Sequence, residues 1–223
     1  MNKRLYLKLI LSYLAVGVLG FIFVATVSSR SIYRYLSRQK ASALYQEAHA
    51  LASECSRQYS GTLVSLDAMK PQLAGLAAHL ESEIWIMDRY GRVTYDTCGD
   101  SGHVGRTFED FDPAATMTMN NYRFQDFHDS FREPVLTASA PITGRFSTYG
   151  YVLIHMPESV VLKSRYDLLN IVYVAYLAVF LLSLLVLLTF QLTVYLPIRK
   201  ITRAANEYAS GNLTYRLNFH SSD

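Results

Sequence analysis

The sequence predicts a membrane protein in which two transmembrane helices flank an external α+β domain and a short relay segment follows the second helix. Three observations predict it. Two long runs carry no charge, the stretch between them changes from helical to strand periodicity, and a heptad-spaced helix follows the second run.

The first run, Leu9 to Ser29, reads LILSYLAVGVLGFIFVATVSS; the second, Leu168 to Ile198, contains AYLAVFLLSLLVLLTFQL. Each reaches the roughly 20 residues that cross a bilayer core. A cleaved signal peptide would also begin with basic residues such as Lys3, Arg4 and Lys8. Its core would be only about 7–15 residues long and end at an A-x-A site, which is lacking here. The spans are set at residues 9–29 and 168–194. Basic residues flank both on what becomes the cytoplasmic side: Lys3, Arg4 and Lys8 before the first, Arg199, Lys200 and Arg203 after the second. Arg30, Arg34, Arg38 and Lys40 argue the other way, but a middle segment of this length is translocated largely whatever its charge. Residues 1–8 and 195–223 are therefore expected in the cytoplasm, and 30–167 outside.

At 51% apolar and 17% charged, the chain is neither disordered nor a charge-driven scaffold. The outside segment is nearly neutral, with 14 basic against 16 acidic residues. The formal charge of +3 comes from the cytoplasmic flanks and points to anionic lipid rather than nucleic acid. Both cysteines, Cys55 and Cys98, fall outside, where an oxidising location permits a disulfide between them. A small buried Cys55 and a loop thiol at Cys98 fit the sequence as well.

Taken in order, the outside segment opens with a helix from Ser31 to about Tyr59, free of Pro and Gly. Leu44, Ala48, Leu51 and Cys55 mark its apolar stripe. Continuous with the first span, it would carry the chain about 40 Å from the membrane. A second helix, PQLAGLAAHLE, places Pro71 at its first position. IWIMD and VTYDT read as strands joined by the turn RYGR, with Gly91 able to take positive φ. PVLTASAPI and YGYVLIHMP are two further strands, and ESVVLKSRYDLL is a helix leading into the second span. Neighbouring strands flanked by helices favour an antiparallel sheet in an α+β domain.

IWIMDRYGRVTYDT, the loop GHVGRTFEDFD and VLTASAPITGRFSTYGYVLI together resemble the extracytoplasmic PAS-like sensor domains of the Cache group. The matching residues are Asp88, Gly91, Val93, Ala140, Pro141, Ile142, Gly150, Tyr151 and Val152, and the likeness covers most of Tyr33 to Tyr166. The resemblance implies a ligand pocket on the sheet face, under the loop between the second and third strands. Trp85, Tyr95, Asp96, His103, Arg106, Arg123 and His128 are the candidates for it. Either arginine could hold a carboxylate through a bidentate pair, with Trp85 or Tyr95 as an apolar wall. The aromatic row Tyr122, Phe124, Phe127 and Phe131 is expected to pack against the sheet rather than to bind.

After the second span, Pro197 opens a helix in which Ile198, Ile201, Ala205 and Tyr208 form a heptad seam. Gly211 ends it, and a connector carries Leu213 and Leu217. Pro197, Ile198, Ile201, Ala205, Gly211, Leu213 and Leu217 resemble the first half of a HAMP domain, a parallel four-helix dimer. A tail lying on the inner leaflet is the simpler alternative. The resemblance implies a homodimer, packed through transmembrane and HAMP helices in a bacterial plasma membrane, and the sensory half of a two-component sensor histidine kinase. A chemotaxis receptor, a nucleotide cyclase or a truncated receptor regulator are the alternative settings.

Catalytic chemistry is not legible. None of His49, His79, His103, His128, His155 or His220 lies in a phospho-acceptor context, and no Gly-rich phosphate loop or nucleophile arrangement occurs. ATP, Mg²⁺ and a response regulator would belong to a kinase domain outside these residues. The stretch TYDTCGDSGH gathers Asp96, Cys98, Asp100 and His103, all able to ligate. A polar Gly/Asp/Ser loop explains it as well, and no metal is assigned.

Overall fold

In the computed structural model, residues 3–58, 66–98, 102–109, 111–112, 124–144 and 147–211 are described. The chain divides into two compact units, Ala25–Leu169 and the remainder. The elements in order are α1 (Lys3–Gln58), α2 (Leu66–Leu80), β1 (Glu83–Asp88), β2 (Val93–Asp96), β3 (Val135–Thr143), β4 (Thr148–Pro157) and α3 (Glu158–Phe190). A π-helical turn, Gln191–Tyr195, then leads to α4 (Leu196–Ala209).

The four strands form one antiparallel sheet in the order β2-β1-β4-β3. The β1–β2 hairpin closes because Asp88 Oδ1 accepts hydrogen bonds from the Tyr90 and Arg92 amides while Gly91 sits at φ 79°. An added Cβ there would lie 2.7 Å from the Phe108 carbonyl oxygen, so the position needs glycine twice over.

Register sorts the side chains. Ile84 of β1 faces Ile154 of β4, which faces Ala138 of β3; Ile86 faces Val152, which faces Ala140. These residues, with Leu136, Ile142 and Met156, pack against Leu44, Ala48, Met69 and Leu73 of α1 and α2. Each large side chain buried this way contributes about 1.5–3 kcal/mol. Its neighbours on each strand point to the opposite face, where Trp85, Met87 and Leu153 meet Phe108 and Phe127 from the connecting loops.

One expectation changes, and one pair of alternatives is decided. The second helix starts at Leu66, so Pro71 lies inside it and not at its first position. Pro71 still falls early in the helix, where it removes one backbone bond near an end already short of partners. The Cys55–Cys98 disulfide is not formed; both thiols are free. Cys55 is buried between α1 and α2 with its thiol 3.9 Å from Met69 Sδ, and burial pushes it up to about 11. Cys98 is exposed beyond β2, with its thiol donating to Glu83 Oε1 at 3.5 Å.

Two helices, α1 and α3, are long and apolar enough to cross a membrane, and their apolar parts lie in the other unit. Gly17 and Gly20 let aromatic rings approach α1: a Cβ on Gly17 would come within 2.3 Å of the Phe180 ring. Tyr176 donates to the Gly17 carbonyl at 2.6 Å, and the Tyr13 and Ser183 hydroxyls are paired. Small residues and paired hydroxyls are what helices use to associate where lipid gives no hydrophobic drive.

Gly75 and Gly150 give opposite expectations. Exposed Gly75 has open space where its Cβ would be, so Gly75→Ala should stabilise the chain by about 1 kcal/mol. A Cβ at Gly150 would lie 2.1 Å from the Met87 carbonyl oxygen, and Gly150→Ala should cost roughly 2 kcal/mol by prising β4 from β1. Denaturant titration of the chain in detergent, read through its single tryptophan, checks both.

Candidate functional site

The loop-covered face of the sheet carries two cross-strand rows. Glu83, His155 and Thr137 stand opposite one another on β1, β4 and β3; Asp96, Trp85, Leu153 and Ser139 form the next row on β2, β1, β4 and β3. Asp96, Ser139 and His155 are the polar residues buried there.

Two loop segments close over these rows. The first adds to the edge of β2: the Val93 amide donates to Arg106, the Gly105 amide to Val93, and the Phe108 amide to Gly91. Gly105 at φ 89° makes the turn that lets His103 point back at the sheet. The second pairs Gln125 with Val135 and turns through His128 and Asp129, both left-handed at φ 49° and 51°. It delivers Phe127 and Phe131 onto Trp85, with ring centroids 5.7 and 5.3 Å away.

Trp85 is fully buried at the centre, touched also by Phe108 at 5.8 Å, His103 at 4.7 Å and His155 at 4.4 Å. His103 places Nδ1 3.0 Å from Asp96 Oδ2 and Nε2 3.3 Å from the Ser130 carbonyl oxygen. Both partners are acceptors, and the ring bridges them. It thereby ties β2 to the second loop. Asp96 Oδ1 accepts from the Cys98 amide, fixing the carboxylate.

His155 is wholly buried. Burial holds its pKa down, to about 3, and positive charge on His103 adds to the effect. Its Nδ1 lies 2.9 Å from Thr137 Oγ1, while Nε2 and the Trp85 indole N–H have no hydrogen-bond partner among the described residues. Orphaned buried polar atoms cost about 1–3 kcal/mol each, so they mark a place where the fold accepts strain. Glu83, Asp96 and His103 also bring ligand atoms within 4.8 Å of one another.

Of the seven residues expected at a pocket, Trp85, Asp96 and His103 come together here. Tyr95 lies on the opposite face, opposite Ile86 and against the helices, where burial raises its pKa. Period-2 alternation already excludes Tyr95 and Asp96 from one wall. Arg106 is exposed and holds the site through its backbone: its carbonyl accepts from the Val93 amide and its amide donates to the His103 carbonyl oxygen. His128 is exposed, its ring against Phe108 and Phe127. Arg123 lies outside the described residues, as do Asp100, Tyr122, His220, Leu213 and Leu217. The aromatic row divides: Phe127 and Phe131 join Trp85, while Phe124 packs on Tyr33 at 6.4 Å.

His155 and Glu83 were not anticipated. In YVLIHM both faces of the strand are buried, so no polar alternation singles out the histidine. Glu83 stands one residue before the strand read from sequence.

No known family model matches the chain, and no curated protein does. Among solved structures it is similar to the sensor domain of the histidine kinase DctB from V. cholerae, at 16% sequence identity and a TM-score of 0.32. The match covers 72% of this chain and 59% of that one, so the chain spans rather more than half of that domain's length.

His155 sets a pH dependence. Its folded pKa lies below the unfolded value of 6.5, so the unfolded chain binds the extra proton. Stability is therefore full above pH 6.5 and falls as pH drops from there toward about 3, by at most about 1.4 kcal/mol per pH unit. His155→Phe keeps an aromatic ring and removes the titration. Unfolding measured between pH 7 and 5 should show a shallower loss for the variant than for the parent chain.

Proposed function

We propose that this chain is the sensing and relay portion of a bacterial sensor histidine kinase, with an external PAS-like domain of the Cache type. In this reading α1 and α3 cross the plasma membrane, both termini are cytoplasmic, and residues 30–167 are outside. A second copy packs alongside through the transmembrane and relay helices. A small molecule reaching the Trp85 face is the stimulus. A kinase domain using ATP and Mg²⁺ would pass the signal to a response regulator.

One observation carries the proposal: β4, an inner strand of the sheet, ends at Pro157, and α3 begins at the next residue and continues unbroken to Phe190. The strand bearing His155 is thus joined to an apolar helix without an intervening loop. The start of α3 is also held from two sides. Tyr33 of α1 donates to Glu158 Oε1 at 2.6 Å, and Glu133 accepts from the Ser159 amide and hydroxyl at 3.1 and 3.0 Å. Burial and the Glu158 carboxylate push the Tyr33 hydroxyl up to about 12, so it stays a donor.

The mechanism is a population shift. A ligand that prefers one packing of the loops over Trp85 biases β4, and α3 carries the change along its axis. The relay needs only that the two states differ in affinity. In α4, Ile198, Ile201 and Tyr208 are exposed large apolar side chains with Ala205 beside them, a face suited to the HAMP-type seam of a parallel dimer.

Single cysteines from Ile198 to Tyr208, placed one at a time in a Cys55→Ser, Cys98→Ser background, test the reading in membrane vesicles. Oxidation should cross-link copies most strongly at positions 198, 201, 205 and 208, and weakly at Arg199 and Thr202. Uniform or absent cross-linking would remove the parallel relay from the proposal.

A further inference from the structure

Beyond the buried aromatic cluster lies a group of ligating side chains that the sensing proposal does not use. Glu83 comes from β1, Asp96 from β2 and His103 from the first loop, and their ligand atoms lie within 4.8 Å of one another. Asp96 has no exposed side-chain surface, and His103 has 15%. Cys98 adds a thiol 3.5 Å from Glu83 Oε1.

One further observation favours a cation at this arrangement. Glu83 Oε2 is buried without a hydrogen-bond partner among the described residues. A buried carboxylate oxygen with free lone pairs is what a metal ion satisfies and what a hydrogen-bonded core avoids.

We infer that Glu83, Asp96 and His103 form a binding site for a divalent cation of the zinc class. The donor set supports this choice. Two carboxylates and an imidazole, with a thiol beside the fourth position, suit a borderline ion at bonds of about 2.0–2.3 Å. Magnesium and calcium would instead take oxygen ligands throughout. A groove of about 400 Å³, lined by residues of α2 together with Glu81, Ser82, Glu83, Thr97 and Cys98, reaches the Glu83 edge of the cluster.

Such a site would clamp β1, β2 and the first loop together at the edge of the Trp85 cluster, and it stands whether or not the chain relays a signal. The test is a zinc titration of the full chain in detergent micelles, competed against a chromophoric chelator. One zinc per chain is expected, with affinity at least tenfold weaker in Glu83→Gln and in His103→Gln and unchanged in His79→Gln. Thermal melts of Glu83→Gln and His103→Gln check that each variant remains folded. Absence of stoichiometric zinc binding overturns the site, as does parental affinity in both Glu83→Gln and His103→Gln. Magnesium competing as well as zinc overturns the assignment of metal class.

Discussion

The pairing of β1 with β4, in register from Glu83↔His155 to Asp88↔Gly150, is the constraint on which the rest depends. Because successive side chains alternate, this one ladder decides which residues meet the helices and which lie under the loops. Ile84, Ile86, Val152 and Ile154 go one way into an aliphatic layer. Glu83, Trp85, Leu153 and His155 go the other, into a layer that mixes aromatic rings with titratable groups. A slip of one residue would put His155 among methyl groups and expose the aliphatic row to the polar loops. The close approach at Gly150, where no Cβ fits against Met87, holds the two strands together at the far end.

The two layers have different physical characters. The helix side is closed by interdigitated aliphatic groups and loses energy with any volume change. The loop side is held by a few directional bonds: Asp96 to His103, His103 to Ser130, Thr137 to His155. Directional bonds can be exchanged for others of similar strength when a ligand, proton or ion arrives, whereas an aliphatic core has no such alternative. That asymmetry places responsiveness on the loop side and stiffness on the side that meets α1 and α2.

Much of this was legible from the chain. The four strands follow from their β-rich runs and turn residues, and the Asp88–Gly91 turn was read with its positive φ. The two apolar helices follow from length and lack of charge. The seven-residue site was read less well, for identifiable reasons. Tyr95 was grouped with Asp96 although adjacent strand residues point to opposite faces. His155 was hidden because β4 is buried on both sides and its one polar residue interrupts no pattern. Arg106 looked like an anion holder, but the hairpin edge uses its backbone and leaves the side chain in solvent. Pro71 was taken as a helix start because that is its preferred place, yet the helix begins at Leu66 and tolerates the missing donor.

The π-helical turn at Gln191–Tyr195 has a geometric consequence. A π turn holds one residue more than an α turn, and each residue of an α-helix advances the side chains by about 100°. The stripes on α3 and α4 are therefore out of phase by that angle compared with an uninterrupted helix. Sequence spacing measured along the apolar helix α3 does not carry directly into the heptad spacing at Ile198 and Ile201. Converting the π turn to regular α-helix by removing one residue would re-index every position of α4 against its neighbour, an axial twist obtained without altering a single contact residue.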